Sequence, residues 1–541
     1  MIHMKIQSLF AALSLFASLT ACGMGIHNPG NQNNPPPLPS PNATRVNDDG
    51  TVMAGDTNLI PIPIQKMPIG IITGYEMDKG CPFEKPSQCE LPLYTPYNRN
   101  TPGWWDNVLE ELYFARANVI MAHGRGCFDL NSGDDGNGSM CPRILRHLVE
   151  AIDRAGLRGT VKIGMFDDTG AYNGAKNILR GLPFETPFDL SNHDDDIEFF
   201  WSRNMKIWFD TVPRDLWYLV DGKPIIAFWT LHKPFFINQK THGQFLLKSL
   251  KKLFIERYNI EPLFQLDNSW VQTDSTITTS EAWSLNGWFD PSSSNFTLVN
   301  WNSNFWGAGV PGFRDAFNEV GCGAKCRESP RNHGAALESA FYLSQKQKSK
   351  FFLLEGFTDV LESAGSYRSS QWDYPNLYLN TIREFSDPDM LSLRFQAEAA
   401  DGFKFSVQNS TGVYRPDGMH VTANPSFGWR VSETSAGDWI EFKKIKFPEG
   451  QYRFTANAAT FYLGSKIHLK VDDLDLPSVD VPLTNNGTFA LVHLGTVKLN
   501  ESRHNIRIVY DSPKVDLDWF HVRKKLSSLQ SLQEITSRQK E

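Results

Sequence analysis

The 541-residue chain lacks several features that would assign it to common functional classes. Beyond the segment 1–22, no stretch is apolar and long enough to span a membrane. No strand-like run is followed by a glycine-rich loop of the GxGxxG or GxxxxGK[ST] type, which argues against a doubly wound nucleotide-binding sheet. Lysine and arginine total 53 against 60 acidic residues, and the net charge is −7. Without a basic field, the chain is not expected to bind nucleic acid.

Cysteine is scarce, since the chain has only seven. Six of them form three close pairs: Cys81 with Cys89, Cys127 with Cys141, and Cys322 with Cys326. An even number of cysteines in an exported chain predicts disulfides, here three local ones. A zinc site is the alternative, but the pairs lack CxxC spacing and no histidine lies near them at ligand spacing.

The first residues are typical of a secretory signal. Lys5 gives a weakly positive start, an apolar region runs from Leu9 to Leu19, and the segment is too short to cross a bilayer. It ends in LTAC, which resembles a bacterial lipobox and implies that Cys22 carries lipid. An ordinary cleavage site with an incidental cysteine is the alternative. Gly23, rather than aspartate, follows Cys22, and this resemblance implies an outer-membrane lipoprotein, periplasmic or surface-exposed. Residues 23–56 are rich in proline and asparagine and predict a disordered tether.

From residue 57 to 390, apolar strand-like runs alternate with helical patterns, which is typical of parallel α/β structure. The helical pattern PRILRHLVEAIDRAG, for example, ends at Gly156. The runs are MPIGIITGY, ANVIMAHGRG, TVKIGMFDD, KPIIAFWTLH, PLFQLDNSW, SLNGWFD, WGAGVPGF and KFFLLEGF. About eight such units fit an α/β (β/α)8 TIM-like barrel. An open doubly wound sheet is the alternative.

Polar and aromatic residues accumulate at the carboxyl ends of these runs, where barrels place their catalytic groups. Taken singly, each of them is as well explained as a helix cap, but together they predict an acidic, sugar-binding cleft. They are Glu76, Asp78, His123, Arg125, Asp167, Asp168, Trp229, His232, Asp267, Asn268, Trp270, Glu355, Asp359 and Glu362.

The stretch FTDVLES, which follows the last apolar run, places Asp359 and Glu362 three residues apart. In a continuing strand these side chains would point to opposite faces, so they converge only if the chain turns there. A solvated loop with two ordinary acids is the alternative. Two converging carboxylates are what glycoside cleavage requires.

From residue 391 to 523, helical periodicity gives way to short alternating runs such as DWIEFKKIKF and HNIRIVYD. These predict an all-β jelly-roll sandwich domain. Residues 524–541 are polar and are expected to form a frayed tail.

The predicted sandwich resembles carbohydrate-binding modules of families 6 and 35. The matching stretches are FQAEAADGF, AGDWIEF, EGQYRF, VPLTNNGTF and VDLDWFHV. The resemblance implies a structural Ca²⁺ held by Glu398 and Asp518, with Gln396 as a further ligand. It also implies that Trp429 and Phe489 stack on a sugar, although a core role is the alternative for Trp429. Asp516 stands where the family often has asparagine.

The barrel resembles glycoside hydrolase families 71 and 99 and, more closely, bacterial proteins of the domain of unknown function 5010 type. DGKPIIAFW at 221–229 resembles the fourth-strand signature, and FTDVLES resembles the last-strand motifs NDYGES and NEWxEGT. The resemblance implies that Glu362 is the general acid/base and Asp359 the base or nucleophile, acting directly or through a hydroxyl of the sugar. Thr358 stands where those families have asparagine. The remaining candidates are Glu355 as the reserve catalytic acid, and Asp267, Asp168, Trp229, Trp270 and His123 for substrate binding.

The favoured hypothesis is a surface-anchored, monomeric glycoside hydrolase that acts on a polysaccharide or glycan, attaches to the membrane through Cys22 and needs no cofactor for catalysis. A non-catalytic glycan-binding surface lipoprotein is the second hypothesis, favoured by Thr358 in place of asparagine. A structural or adhesive surface protein is the third.

Overall fold

The computed structural model describes residues 44–45, 53–54, 67–73, 90–94, 102–127, 141–183, 185–287, 296–314, 328–359, 362–407, 414–424, 428–484 and 488–525. Predictions on the segment 1–22 with Cys22, on most of the tether, and on nearly all of the tail lie outside these residues. The same holds for Glu76, Asp78, Cys81, Cys89, Cys322 and Cys326.

Eight strands of the described chain run parallel within one sheet. They are β1 (Ile69–Thr73), β2 (Val119–Gly124), β3 (Lys162–Asp167), β4 (Lys223–Phe228), β5 (Leu263–Asp267), β6 (Ser284–Asn286), β7 (Asn304–Gly309) and β8 (Phe351–Leu354). Their order across the sheet is β6-β5-β4-β3-β2-β1-β8-β7, so that β1 and β8 are neighbours.

The sheet is nearly closed. Phe296–Trp301 pairs antiparallel with β7, and the Asn304 side-chain amide donates to the Trp283 carbonyl, just before β6, at 3.3 Å. Leu219–Val220 pairs antiparallel with β4. Two short strand pairs, Phe188–Asp189 with Phe236–Ile237 and Phe313–Arg314 with Glu328–Ser329, lie outside this sheet. The mixed α/β fold is thus confirmed, while a complete (β/α)8 barrel stays a prediction.

Strands β1, β2 and β5 are buried along their whole length, which explains their near-continuous apolar sequence. The predicted helix at PRILRHLVEAIDRAG is present: its four core residues, Ile144, Leu145, Leu148 and Ile152, are buried, and Gly156 follows it with a φ of +67°. The α-helices are α1 (Pro102–Phe114), α2 (Pro142–Arg154), α3 (Tyr172–Arg180), α4 (His193–Asp196), α5 (Lys206–Thr211), α6 (His242–Tyr258), α7 (Ser269–Thr273), α8 (Ala335–Lys346) and α9 (Leu377–Ser386), with a π-helical segment at Ile197–Met205.

The C-terminal part forms two antiparallel sheets, which confirms the predicted β-sandwich. The first contains Ser392–Gln396, Val421–Ala423, Trp429–Val431, Gly450–Thr460, Ala490–Leu499 and Val515–Lys524. The second contains Gly402–Lys404, Trp439–Phe447, Lys466–Val471, Leu474–Asp475, Val479–Asp480 and Ser502–Tyr510. Outside both domains, Thr44–Arg45 pairs with Met53–Ala54.

The sandwich packs against α1 of the parallel-sheet domain, and one buried core runs through both. The rings of Phe114 and Phe395 meet edge to face with centroids 5.6 Å apart. The Tyr414 hydroxyl donates to Asn107 Oδ1 at 2.7 Å. Arg116, with 1% of its surface exposed, donates from its guanidinium group to the Ser392 carbonyl at the start of the sandwich. Since these contacts are buried, we expect the two domains to hold a fixed relative position.

The Cys127–Cys141 disulfide is present, as predicted, and joins the end of β2 to the start of α2. Within the described residues, no helix combines the length and apolar character needed to cross a bilayer.

Candidate active site

The segment that follows β8 turns sharply. Gly356 adopts a φ of +77°, and the Asp359 N–H donates to its carbonyl at 2.8 Å. Asp359 Oδ1 then accepts from the Glu362 N–H at 2.9 Å, and the Ala364 N–H donates to the Asp359 carbonyl at 3.2 Å. The turn therefore brings Asp359 and Glu362 together, as their spacing requires.

Three carboxylates converge at this turn. Glu355, Asp359 and Glu362 each place an oxygen within 4.8 Å of the others. Asp359 is 2% exposed, whereas Glu355 and Glu362 are half-buried. Carboxyl groups brought together in this way can divide the roles of acid and of base or nucleophile between them.

These carboxylates lie on the wall of a cavity of about 490 Å³ at the carboxyl ends of the parallel strands. Most of the predicted strand-end residues meet there. The cavity is lined by His123, Arg125, Asp168, Trp229, His232, Glu355, Asp359 and Glu362.

Asp168 anchors the wall formed by the ends of β2 and β3. Its Oδ2 lies 3.1 Å from Arg125 Nε and 3.3 Å from His123 Nε2. Burial alone would raise the pKa of Asp168, but Arg125 and His123 outweigh burial and hold it below the ordinary value. Asp168 is therefore an ionised acceptor that holds the side chains of Arg125 and His123 in place on the cavity wall.

Asp167, one residue earlier, has a different role. It is fully buried and accepts from the Tyr172 hydroxyl at 2.5 Å. Burial raises its pKa well above the ordinary value, against the lowering effect of that hydrogen bond. Asp167 is a structural group beneath the cavity floor.

Trp229 is half-buried and presents an aromatic surface to the cavity, next to Phe235 with ring centroids 5.8 Å apart. Gly170 gives it room, since a Cβ there would lie 2.6 Å from Trp229 Cζ3. A flat aromatic surface in an open cavity suits the CH face of a sugar.

Two predicted substrate contacts do not line this cavity. Trp270 has 0% of its surface exposed, packs edge to face on Phe228, and donates from Nε1 to the Trp229 carbonyl at 2.5 Å. The prediction of substrate contact is wrong for Trp270, because its ring is part of the core that supports Trp229. Asp267 is 6% exposed and accepts from the Ser269 N–H at the start of α7, at 2.9 Å.

The oxygen groups predicted to bind Ca²⁺ in the sandwich are largely buried. Among the described residues, Gln396 Oε1 and Glu398 Oε2 have no hydrogen-bond partner. Burial raises the pKa of Asp518 to about 6 and that of Glu398 well above its ordinary value, with Asp518 contributing to the latter. Buried oxygens without donors are costly unless a cation joins them, so Gln396 and Glu398 fit Ca²⁺. Both oxygens of Asp518, in contrast, already accept hydrogen bonds, from the side-chain amides of Asn424 at 2.8 Å and Asn457 at 2.9 Å.

The predicted sugar-stacking rings of the sandwich are only partly accessible. Trp429 is half-buried, with one face stacked on Tyr414 at 4.4 Å, and Phe489 is half-buried as well. Among the described rings of the sandwich, the most exposed are in the loop after Gly450–Thr460, where Phe461 is 59% and Tyr462 57% exposed.

A family model described as a domain of unknown function (DUF5010) matches residues 74–402, more than half of the chain. The chain belongs to the DUF5010 family. A model described as a carbohydrate-binding module of family 35 matches residues 417–522 of this DUF5010 protein. Both matches confirm resemblances that the sequence motifs had indicated. A comparison with curated protein sequences gave no significant match.

Solved structures similar to this DUF5010 protein include one that matches its parallel-sheet domain and one that matches its sandwich. The first is the GH99 endo-α-mannosidase from Bacteroides thetaiotaomicron, with 11% identity over 60% of this chain and 98% of that chain, at a TM-score of 0.39. The second is the C-terminal CBM6 of a laminarinase from Zobellia galactanivorans, with 18% identity over 25% of this chain and 99% of that chain, at a TM-score of 0.20.

Sequence reasoning missed several residues that line the cavity, among them Lys233, Phe235 and Phe313. For Lys233 and Phe235 the sequence did contain a signal, because both lie in the stretch HKPFF at 232–236, shortly after the end of β4 and Trp229. For Phe313 the sequence contained no such signal, because this residue lies beyond the end of β7 among apolar residues.

Proposed function

We propose that this protein is a glycoside hydrolase that cleaves a polysaccharide or glycan in the cavity at the carboxyl ends of the parallel strands. The convergence of Asp359 and Glu362 on the cavity wall carries the proposal. Glycoside cleavage needs one carboxylic acid to protonate the leaving oxygen and one carboxylate to act as base or nucleophile.

Glu362 is the general acid/base and Asp359 the base or nucleophile, directly or through a hydroxyl of the sugar. Asp359 is the more buried, and the Glu362 N–H already holds one of its oxygens in place. Glu355 is the reserve acid, since one of its oxygens lies within 4.8 Å of an oxygen of each of the other two.

Substrate binding falls to the residues on the other walls. Trp229 stacks on a sugar ring, while His123 and the Asp168–Arg125 pair donate and accept hydrogen bonds to hydroxyls. Trp270 and Asp267 do not contact the substrate in this proposal. Trp270 holds Trp229 in position, and Asp267 holds the start of α7.

The sandwich holds the polysaccharide near the cavity. The match to a family 35 carbohydrate-binding module supports this role. Trp429 and Phe489 are the ring candidates implied by resemblance, and Phe461 and Tyr462 offer more exposed ring surface. Gln396, Glu398 and Asp518 would hold a structural Ca²⁺ that neutralises their buried charge. Lipid on Cys22 would place the enzyme at the bacterial cell envelope.

The test is product release from a panel of α-glucans, α-mannans and plant and host glycans, read by mass spectrometry. Purified wild type is compared with Glu362→Gln, with Asp359→Asn, and with Glu256→Gln, an exposed acid on α6 outside the cavity. We expect products from wild type and Glu256→Gln only, with or without EDTA. Binding of a glycan by all four proteins with products from none would instead support the non-catalytic glycan-binding lipoprotein.

A further inference from the structure

The cavity has an acidic side and a basic side. The three carboxylates follow β8, whereas His232 and Lys233 follow β4 and line the same cavity. Four steps across the sheet separate β8 from β4, through β1, β2 and β3. At about 4.8 Å a step this is about 19 Å along the sheet, half-way round eight nearly closed strands. The two groups therefore face each other across the cavity.

Lys233 differs from the other cation of the cavity. Arg125 is neutralised by Asp168 at 3.1 Å. The ammonium group of Lys233, in contrast, makes no ion pair or hydrogen bond with any residue that the structure describes, and the same holds for the ring of His232. Both side chains are exposed where they line the cavity, so the Lys233 ammonium group and the His232 ring are available to a ligand.

The loop that carries them is held in place by buried contacts. The Leu231 N–H donates to Ser269 Oγ at 2.9 Å, and the Gln239 side-chain amide donates to the carbonyls of Leu231 and Phe236 at 3.3 and 2.9 Å. Leu231 and Phe236 are fully buried. A loop fixed in this way presents its charged side chains without a large ordering cost when a ligand binds.

We infer that the glycan bound in this cavity carries an anionic substituent, a carboxylate, phosphate or sulfate, which Lys233 binds together with His232. The inference rests on the proposed function for the place of cleavage. An anionic group would be repelled by Glu355, Asp359 and Glu362 and attracted to the opposite side. The charge therefore determines which way round the glycan lies over Trp229.

The experiment measures binding of matched glycan pairs that differ only in charge. The pairs are phosphomannan before and after phosphatase, a sulfated glycan before and after desulfation, and an oligouronide before and after carboxyl reduction. The proteins are the wild type, Lys233→Gln and Lys240→Gln, all as the full chain, in isothermal titration calorimetry. Lys240 is the matched control, since it is exposed seven residues further on but does not line the cavity.

In at least one pair, we expect the charged glycan to bind wild type about tenfold more tightly, the effect of one hydrogen-bonded ion pair. Lys233→Gln should lose this preference and Lys240→Gln should keep it, and 1 M salt should reduce it. The pair that responds identifies the substituent. Because the sandwich is the same in all three proteins, a difference between them comes from the cavity.

The inference is overturned if no pair shows a preference for the charged member, including the case in which neither member binds, or if Lys233→Gln retains the preference. Product analysis on the same samples separates this outcome from the proposed function. A charge preference without products overturns only the hydrolase, and products from neutral glycans without a charge preference overturn only the anionic substituent.

Discussion

Asp359 Oδ1 accepts a hydrogen bond from the Glu362 N–H at 2.9 Å, so the proposed nucleophile also shapes the turn that carries the proposed acid. The two carboxylates thus depend on each other for position as well as for chemistry. A substitution at Asp359 can therefore disturb the turn, the chemistry or both, and two variants of Asp359 separate these two effects.

Asp359→Asn should keep the turn, because its amide oxygen still accepts from Glu362. We expect glycan cleavage to fall about 10³-fold while the melting temperature hardly changes. Asp359→Ala also leaves the Glu362 N–H without this acceptor and should lower the free energy of unfolding by about 1–3 kcal/mol. Kinetics and thermal melts on both variants check this, and equal activity of Asp359→Asn and wild type would rule out a chemical role.

Gly356→Ala should distort the same turn. A Cβ there would lie 2.5 Å from Ala364 Cβ and 2.8 Å from its carbonyl oxygen, and φ is +77°. We expect a loss of roughly 2 kcal/mol in the free energy of unfolding, together with loss of cleavage. Gly156→Ala is the control, since φ is +67° there but no atom lies within 4 Å of the new Cβ. It should cost about 1 kcal/mol and leave cleavage intact. Denaturant titrations compare the two, and equal losses would contradict the steric argument.

Removal of calcium should destabilise the protein through the sandwich. EDTA removes the cation that Gln396, Glu398 and Asp518 would share, and at a 100-fold excess of Ca²⁺ over its Kd the loss would be about 3 kcal/mol. Glu398→Gln should melt like the EDTA-treated wild type and respond to neither EDTA nor added Ca²⁺. Melting temperatures measured by calorimetry test this prediction. If EDTA does not change the melting temperature of the wild type, a structural Ca²⁺ at these residues is excluded.

Asp196 should make stability depend on pH. Burial first, then the Asp195 and Asp189 carboxylates, raise its pKa to about 8 in the folded protein, above the ordinary 3.8. The folded state therefore retains a proton that the unfolded state releases. Its contribution to stability is complete below about pH 4 and is lost as the pH rises towards 8.

Asp196→Asn cannot ionise, so it should be more stable than wild type at pH 8, by roughly 5 kcal/mol at about 1.4 kcal/mol per pKa unit, and similar at pH 4. Asp194→Asn, on the same helix but exposed, is the control and should follow the wild-type curve. Urea titrations from pH 4 to 9 measure the difference. Parallel curves for wild type and Asp196→Asn would show that Asp196 is not protonated at neutral pH.

The order of strands and helices was accessible from the sequence because it follows from local periodicity. All eight apolar runs became parallel strands, and α2 formed where its pattern and Gly156 placed it. The convergence of Asp359 and Glu362 was also accessible as a hypothesis, because two residues three apart after a strand end come together if the chain turns there. Gln396 and Glu398 could be named from resemblance, but their buried and unpartnered oxygens became visible only in the structure.

The chain by itself determined which residues stand at strand ends, since that depends on spacing along the backbone. Only the tertiary structure decided which of them share a cavity. Trp229 and Trp270 follow neighbouring strands in the same kind of position, yet one faces the cavity and the other fills the core behind it. The distance between Glu355 and the other two carboxylates, and the position of Lys233 opposite them, depend on how the sheet curves. Curvature arises from the packing of all the strands and helices together, and no local stretch of sequence contains it.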